Sequence, residues 1–173
     1  IATLSPSSLC SRRGAPIWWA EDAIFTIQFD PQNDAFTVTS ISDERIATFI
    51  KAVPLDNRQY VKGLYDSRSD VIYWLYKSDA IVSPADSYAY NSILALNGIT
   101  GAFYPWSFST NGELSIRGFI YVRTPSGETD PVVKFIVDNA TDDTFTFAEI
   151  NNISTWLDWD TYGDDLDYSS YFI

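Results

Sequence analysis

The sequence predicts an all-β domain built as an array of antiparallel hairpins, with one short helix near residues 43–51. Three observations lead there. Short β-branched and aromatic runs recur along all 173 residues, turn-forming pairs such as Asp30-Pro31 and Asn33-Asp34 separate them, and helical spacing occurs in one place only. A hydrophobic content of 46% with 16% aromatic residues supplies enough apolar surface to offset chain entropy, so the chain folds rather than staying disordered.

Residues 17–20, 23–29 and 35–39 are the first strands, divided by Glu21-Asp22 and by Asp30-Pro31-Gln32-Asn33-Asp34, which reads as a meander. Ile46, Phe49 and Ile50 then fall at i, i+3 and i+4, with Ser42 or Asp43 placed to cap a helix that Pro54 ends. Leu55-Asp56-Asn57-Arg58 leads into strands 60–65 and 70–76, joined by Asp66-Ser67-Arg68-Ser69. The second of these alternates aromatic and aliphatic residues, which predicts cover on both faces. A polar loop spans 77–90, and strand 92–96 pairs with 102–108 across Asn97-Gly98-Ile99-Thr100-Gly101. Pro105 marks that last strand as edge or bulged, because proline cannot donate to the ladder. Strands at 114–122, 132–137, 144–150 and 154–158 complete about a dozen, leaving a propeller, sandwich or barrel.

Aromatic strand ends recur at Trp18-Trp19, Tyr73-Trp74, Tyr104-Pro105-Trp106 and Trp156-Leu157-Asp158-Trp159. Their spacing brackets the ~40–45 residues of a four-stranded propeller blade, although ordinary core aromatics explain it equally well. Residues 1–173 read as one β-rich domain. Ile1 in place of Met and the apolar finish Tyr171-Phe172-Ile173 lead us to expect a piece of a longer chain.

Composition excludes much chemistry. With no histidine and a single cysteine, Cys10, the chain offers no Ser-His-Asp or Cys-His site, no His-based metal site, no thiolate cluster and no internal disulfide. Cys10 is expected to be a small packing residue. The eight glycines are scattered, so no phosphate-cradling or dinucleotide loop is present. No apolar run reaches the ~18 residues of a membrane-spanning helix. Asn139-Ala140-Thr141 and Asn152-Ile153-Ser154 match the glycosylation acceptor pattern, a frequent chance match.

The net charge of −12 is uneven: no Lys or Arg follows Lys134, whereas nine Asp and Glu residues do. Such a surface repels phosphates and disfavours specific nucleic-acid binding, yet suits a passage along which DNA slides. Asp158, Asp160, Asp164, Asp165 and Asp167 form the candidate cluster, as an acidic interface or channel wall. Read as a calcium loop from Asp158, Gly163 fits the glycine position, but Tyr162 and Ser169 stand at positions 5 and 12, where a carboxylate-type ligand and a bidentate Glu are needed, so the pattern fails. A glycosidase pair would require two carboxyls facing across a cleft, and the many Trp and Tyr residues keep sugar stacking open as an alternative.

Three strings, Ile17-Trp18-Trp19-Ala20-Glu21-Asp22-Ala23-Ile24-Phe25, Ser40-Ile41-Ser42-Asp43-Glu44-Arg45-Ile46 and Gly63-Leu64-Tyr65-Asp66, appear in that order. They continue in Ile93-Leu94-Ala95-Leu96-Asn97, Gly101-Ala102-Phe103-Tyr104-Pro105-Trp106 and the stretch from Asp158-Trp159 to Tyr171-Phe172. In that order they resemble the nozzle, tail-hub and packaged-DNA stabilisation proteins of short-tailed bacteriophages. The resemblance implies a β-propeller or propeller-like platform in the virion tail, where copies form a ring below the portal. It implies contacts with portal, adaptor and other tail proteins, double-stranded DNA passing without sequence-specific contact, no cofactor and no catalytic residues. The alternative is a carbohydrate-binding or glycan-cleaving tail module.

Overall fold

A computed structural model describes residues 4–109, 114–122, 132–139, 144–149 and 167–170. Its strands are all antiparallel and form three sheets. The first is a four-stranded meander of β1 (Cys10–Arg12), β2 (Ala15–Trp19), β3 (Ile24–Asp30) and β4 (Ala35–Ser40). Two helices follow, α1 (Asp43–Ala52) and the single turn α2 (Leu55–Arg58). The second sheet runs β5 (Lys62–Asp66), β6 (Val71–Tyr76), β7 (Ser92–Asn97) and β8 (Phe103–Ser109) in chain order. The third holds β9 (Leu114–Val122), β10 (Val132–Asn139) and β11 (Thr144–Glu149), while β12 (Asp167–Ser170) returns to pair with β8.

Turn chemistry explains why the meanders close where they do. Arg13 and Gly14 both have positive φ, 51° and 84°, the primed two-residue turn whose twist matches its flanking strands. Three longer turns share one rule. An Asx side chain accepts the backbone N–H two residues on, as Asp30 does from Gln32, Asp66 from Arg68 and Asn97 from Ile99. Four residues after each Asx, Asp34, Asp70 and Gly101 adopt positive φ.

The sheets stack face to face, with the second in the middle. Ile72, Trp74 and Tyr76 of β6, with Leu94, Leu96 and Phe103, meet Ile17, Trp19 and Ile24 of the first sheet and Ile46 and Ile50 of α1. On the opposite face, Tyr73, Leu75, Ile93 and Ala95 meet Ile116, Val133 and Phe135 of the third sheet. The alternating β6 run is therefore covered on both sides. Gly63 allows the first two sheets to approach, because a Cβ there would overlap the Ser8 carbonyl and lie 2.6 Å from Cys10 Sγ. Cys10 itself is buried, and burial pushes its thiol up to about 12.

Several expectations need refinement. Strand β1 and the helical turn Leu55–Arg58 are additions. Ser42 does not cap α1 through its side chain, and its hydroxyl instead accepts the Ile24 N–H at 2.8 Å. Ser40 Oγ takes the capping role by accepting from Asp43 N at 3.2 Å. Pro105 pairs with Leu94 on one side, and on the other, among the described residues, β12 pairs with Trp106 to Ser109, so β8 lies between two strands and its described pairing with β12 stops one residue short of the proline. Three of the four aromatic strand ends meet as core neighbours, Trp19 lying edge-on to Trp74 at 6.3 Å and Tyr73 6.0 Å from Trp106, while Trp156-Leu157-Asp158-Trp159 lies outside the described residues. A strand at 154–158 falls outside the described residues.

Candidate functional site

Of the five aspartates in the acidic cluster, Asp158, Asp160, Asp164 and Asp165 lie outside the described residues. Asp167 opens β12 opposite Ser109. Among the described residues, no group of three or more cysteine or carboxylate side chains comes together. Two other features present themselves, a cleft and an apolar sheet face.

The cleft, of about 550 Å³, opens between the first sheet and the β7–β8 turn. Thr26, Gln28 and Ser40 line one side, Asn97, Gly98 and Gly101 the other, with Arg12, Asp43 and Arg45 around them. One of its two cations is already neutralised. Asp70 accepts from Arg12 Nε at 2.7 Å, Arg12 Nη2 at 2.6 Å, Arg13 Nη2 at 3.0 Å and Tyr65 Oη at 3.0 Å. Arg12 Nη2 also donates to the Gly98 carbonyl at 2.6 Å, and Gly98 N donates to the Asp70 carbonyl at 2.7 Å. Three hairpin turns are thereby tied at one point. Arg45, on the first turn of α1, donates to the Gly101 carbonyl and is exposed. The lining suits a small polar molecule held by amide, hydroxyl and guanidinium groups. Its aromatic member, Phe103, is buried and offers no stacking face.

The Asp70 knot carries a pH prediction. Hydrogen bonding from Arg12, foremost, holds the Asp70 carboxyl down at about 2 despite its burial, and the same bond raises Arg12. A carboxyl depressed in the folded state stabilises it fully above its unfolded value and loses that contribution as pH falls. The stability difference between the wild type and Asp70→Asn should therefore be constant above about pH 4 and shrink toward pH 2. Urea midpoints of both proteins across that window check it, and a difference that stays flat would refute the assignment.

The apolar face is the outer side of the first sheet. Trp18 stacks on Phe25 at 6.0 Å, and Ala20, Ala23 and Ile27 complete a small cluster. Beyond it Phe29 and Phe36 meet edge-on at 5.4 Å and are 52% and 76% exposed, while Val38 is 43% exposed. The polarity of the β3–β4 hairpin is thus reversed. Gln28 and Thr26 face the cleft, and phenylalanines face outward.

Sequence reasoning named neither feature. The cleft draws on β1, β3, β4, α1 and the β7–β8 turn, segments far apart in the chain. The outward face had a signal in the strict alternation of Phe25, Ile27 and Phe29. No protein-family model matches this chain, and no curated protein shows significant similarity to it.

Proposed function

We propose that this chain is a mechanical part of a short-tailed bacteriophage tail, a nozzle or hub component. Its copies would surround the DNA exit channel and retain or guide the packaged genome. The observation that carries this reading is the stacking of successive antiparallel meanders in chain order, the second sheet covered on both faces. That arrangement is what adjacent propeller blades require, so we read the sheets as blade-like units of a propeller or propeller-like platform. The ordered strings that resemble phage tail proteins point the same way.

Electrostatics support a channel role. Several cations are committed internally: Arg12 to Asp70, Lys77 to Asp86 at 2.9 Å and Arg117 to Asp138 at 2.6 Å. With a net charge of −12, the acidic excess is left for the surface, where it repels phosphate and lets DNA pass without sticking. The role assigned is mechanical rather than catalytic, with copies of itself, the portal, the adaptor and other tail proteins as neighbours.

The carbohydrate reading draws on the polar cleft, but it needs an exposed Trp or Tyr beside paired carboxylates, and the cleft lining contains neither aromatic. Electron microscopy of the parent particle distinguishes the two. The expected result is density for this three-sheet stack in a symmetric ring on the portal axis. Density on peripheral fibres would overturn the channel reading and favour glycan binding, and absence from any virion would end the tail assignment.

A further inference from the structure

β4 ends its sheet, and its six residues, Ala-Phe-Thr-Val-Thr-Ser, carry no charge, no proline and no bulge. Those are the devices by which an edge strand is ordinarily kept from pairing with another chain. Among the described residues no strand lies on its outer edge.

The direction of its backbone groups follows from β3. Ile24 donates its N–H to Ser42 Oγ and accepts Ile41 N–H at its carbonyl, so both groups of Ile24 turn toward the β4 side. Antiparallel alternation along the unbroken register then makes Thr39, Thr37 and Ala35 the residues bonded to β3. The N–H and C=O groups of Phe36 and Val38 point out into the open.

We infer that β4 pairs antiparallel with β4 of a second copy, joining two four-stranded sheets across a twofold axis. The occupant is chosen by self-complementarity. With Thr37 on the axis, Phe36 lies opposite Val38 of the partner subunit, and each such pair exchanges both of its backbone hydrogen bonds. Residues opposite one another fall on the same face, as antiparallel pairing demands. Phe29 and Phe36 then continue into Val38 and Ile27 of the partner subunit as one apolar stripe across the seam, stabilised by aromatic and β-branched neighbours. Asp34 falls opposite Ser40 of the partner subunit, so no carboxylate faces a carboxylate. This contact rests on the edge strand alone, and its failure leaves the tail reading untouched.

The test is sedimentation equilibrium of the chain over a concentration series, with amide hydrogen exchange, on the wild type, Val38→Pro and Phe36→Lys. Proline at 38 removes an outward N–H and no bond to β3, so the monomer fold is kept. The wild-type mass should rise toward twice that of one chain, with the Phe36 and Val38 amides slowing as concentration rises. Ala35, Thr37 and Thr39 should be protected throughout. Both variants should stay monomeric, with thermal midpoints that do not depend on concentration, whereas the wild-type midpoint rises as the dimer fills. If Val38→Pro unfolds, Phe36→Lys reads the same contact through its charge. A wild type that stays monomeric, a dimer that survives both substitutions, or open-ended assembly in place of a dimer would each overturn the proposal.

Discussion

Replacing Trp74 with alanine is expected to lower the free energy of unfolding by about 3–5 kcal/mol, the cost of emptying a large aromatic site in a close-packed core. Trp74 is fully buried at the middle of β6, where the first and second sheets meet. Its ring lies edge-on to Trp19 at 6.3 Å, and its indole N–H donates to the Ser8 carbonyl at 3.0 Å. Truncation removes the filler between the sheets and leaves that carbonyl without its indole donor. Trp74→Phe largely separates the two effects, because it keeps most of the ring volume and loses chiefly the donor, at about 1–3 kcal/mol. Urea unfolding of both variants checks the values. A loss under about 1 kcal/mol for Trp74→Ala would mean that the first two sheets do not share a core.

Local chemistry made much of this fold legible. Ile46, Phe49 and Ile50 announced α1, although Ile46 itself, at φ −132° and ψ 23°, marks a kink that divides the helix, and the alternation in 70–76 announced a strand covered on both faces. The Asx rule at Asp30, Asp66 and Asn97 was also written in the chain, since each is followed four residues later by Asp34, Asp70 or Gly101 in the left-handed region. Strand β1 escaped because three residues carry too little periodicity, although Arg13-Gly14 just before an apolar run was its signal. Stacking of the sheets could not be read at all. It depends on which face of β6 meets which neighbour, and a strand with both faces apolar does not say. The cleft is non-local for the same reason, and Arg12 meets Asp70 across a sequence separation of 58. The capping expectation at Ser42 failed to a tertiary competitor, the Ile24 N–H, for which that hydroxyl is better placed.

Arg58 was read as part of a lead-in, yet the structure makes it the keystone beneath α1. It sits in the last turn of α2, is 7% exposed, and faces the end of α1, where the final carbonyls have no partners within the helix. Its Nε and Nη2 donate to the Val53 carbonyl at 3.0 and 2.7 Å, Nη2 also reaches the Lys51 carbonyl at 3.1 Å, and Nη1 donates to the Glu21 carbonyl. One guanidinium thus joins the β2–β3 turn to the helix end, where a cation also opposes the negative pole of the helix dipole. Burial pulls its pKa down, with Glu21 and Asp22 acting against that, and arginine remains charged across the accessible pH range. Removing it strands the buried Val53 carbonyl, at about 1–3 kcal/mol, and opens the part-buried Lys51 and Glu21 carbonyls, so Arg58→Ala should destabilise the protein by roughly 2–3 kcal/mol. Arg58→Lys keeps the charge but not the planar fork, and should recover only part of the loss. Thermal and urea unfolding of the two variants, with hydrogen exchange at Val53, read the outcome. A loss below about 1 kcal/mol in Arg58→Ala would show that water replaces the guanidinium without penalty. Full recovery by lysine would show that charge at the helix end, and not the fork, holds α1 against the first sheet.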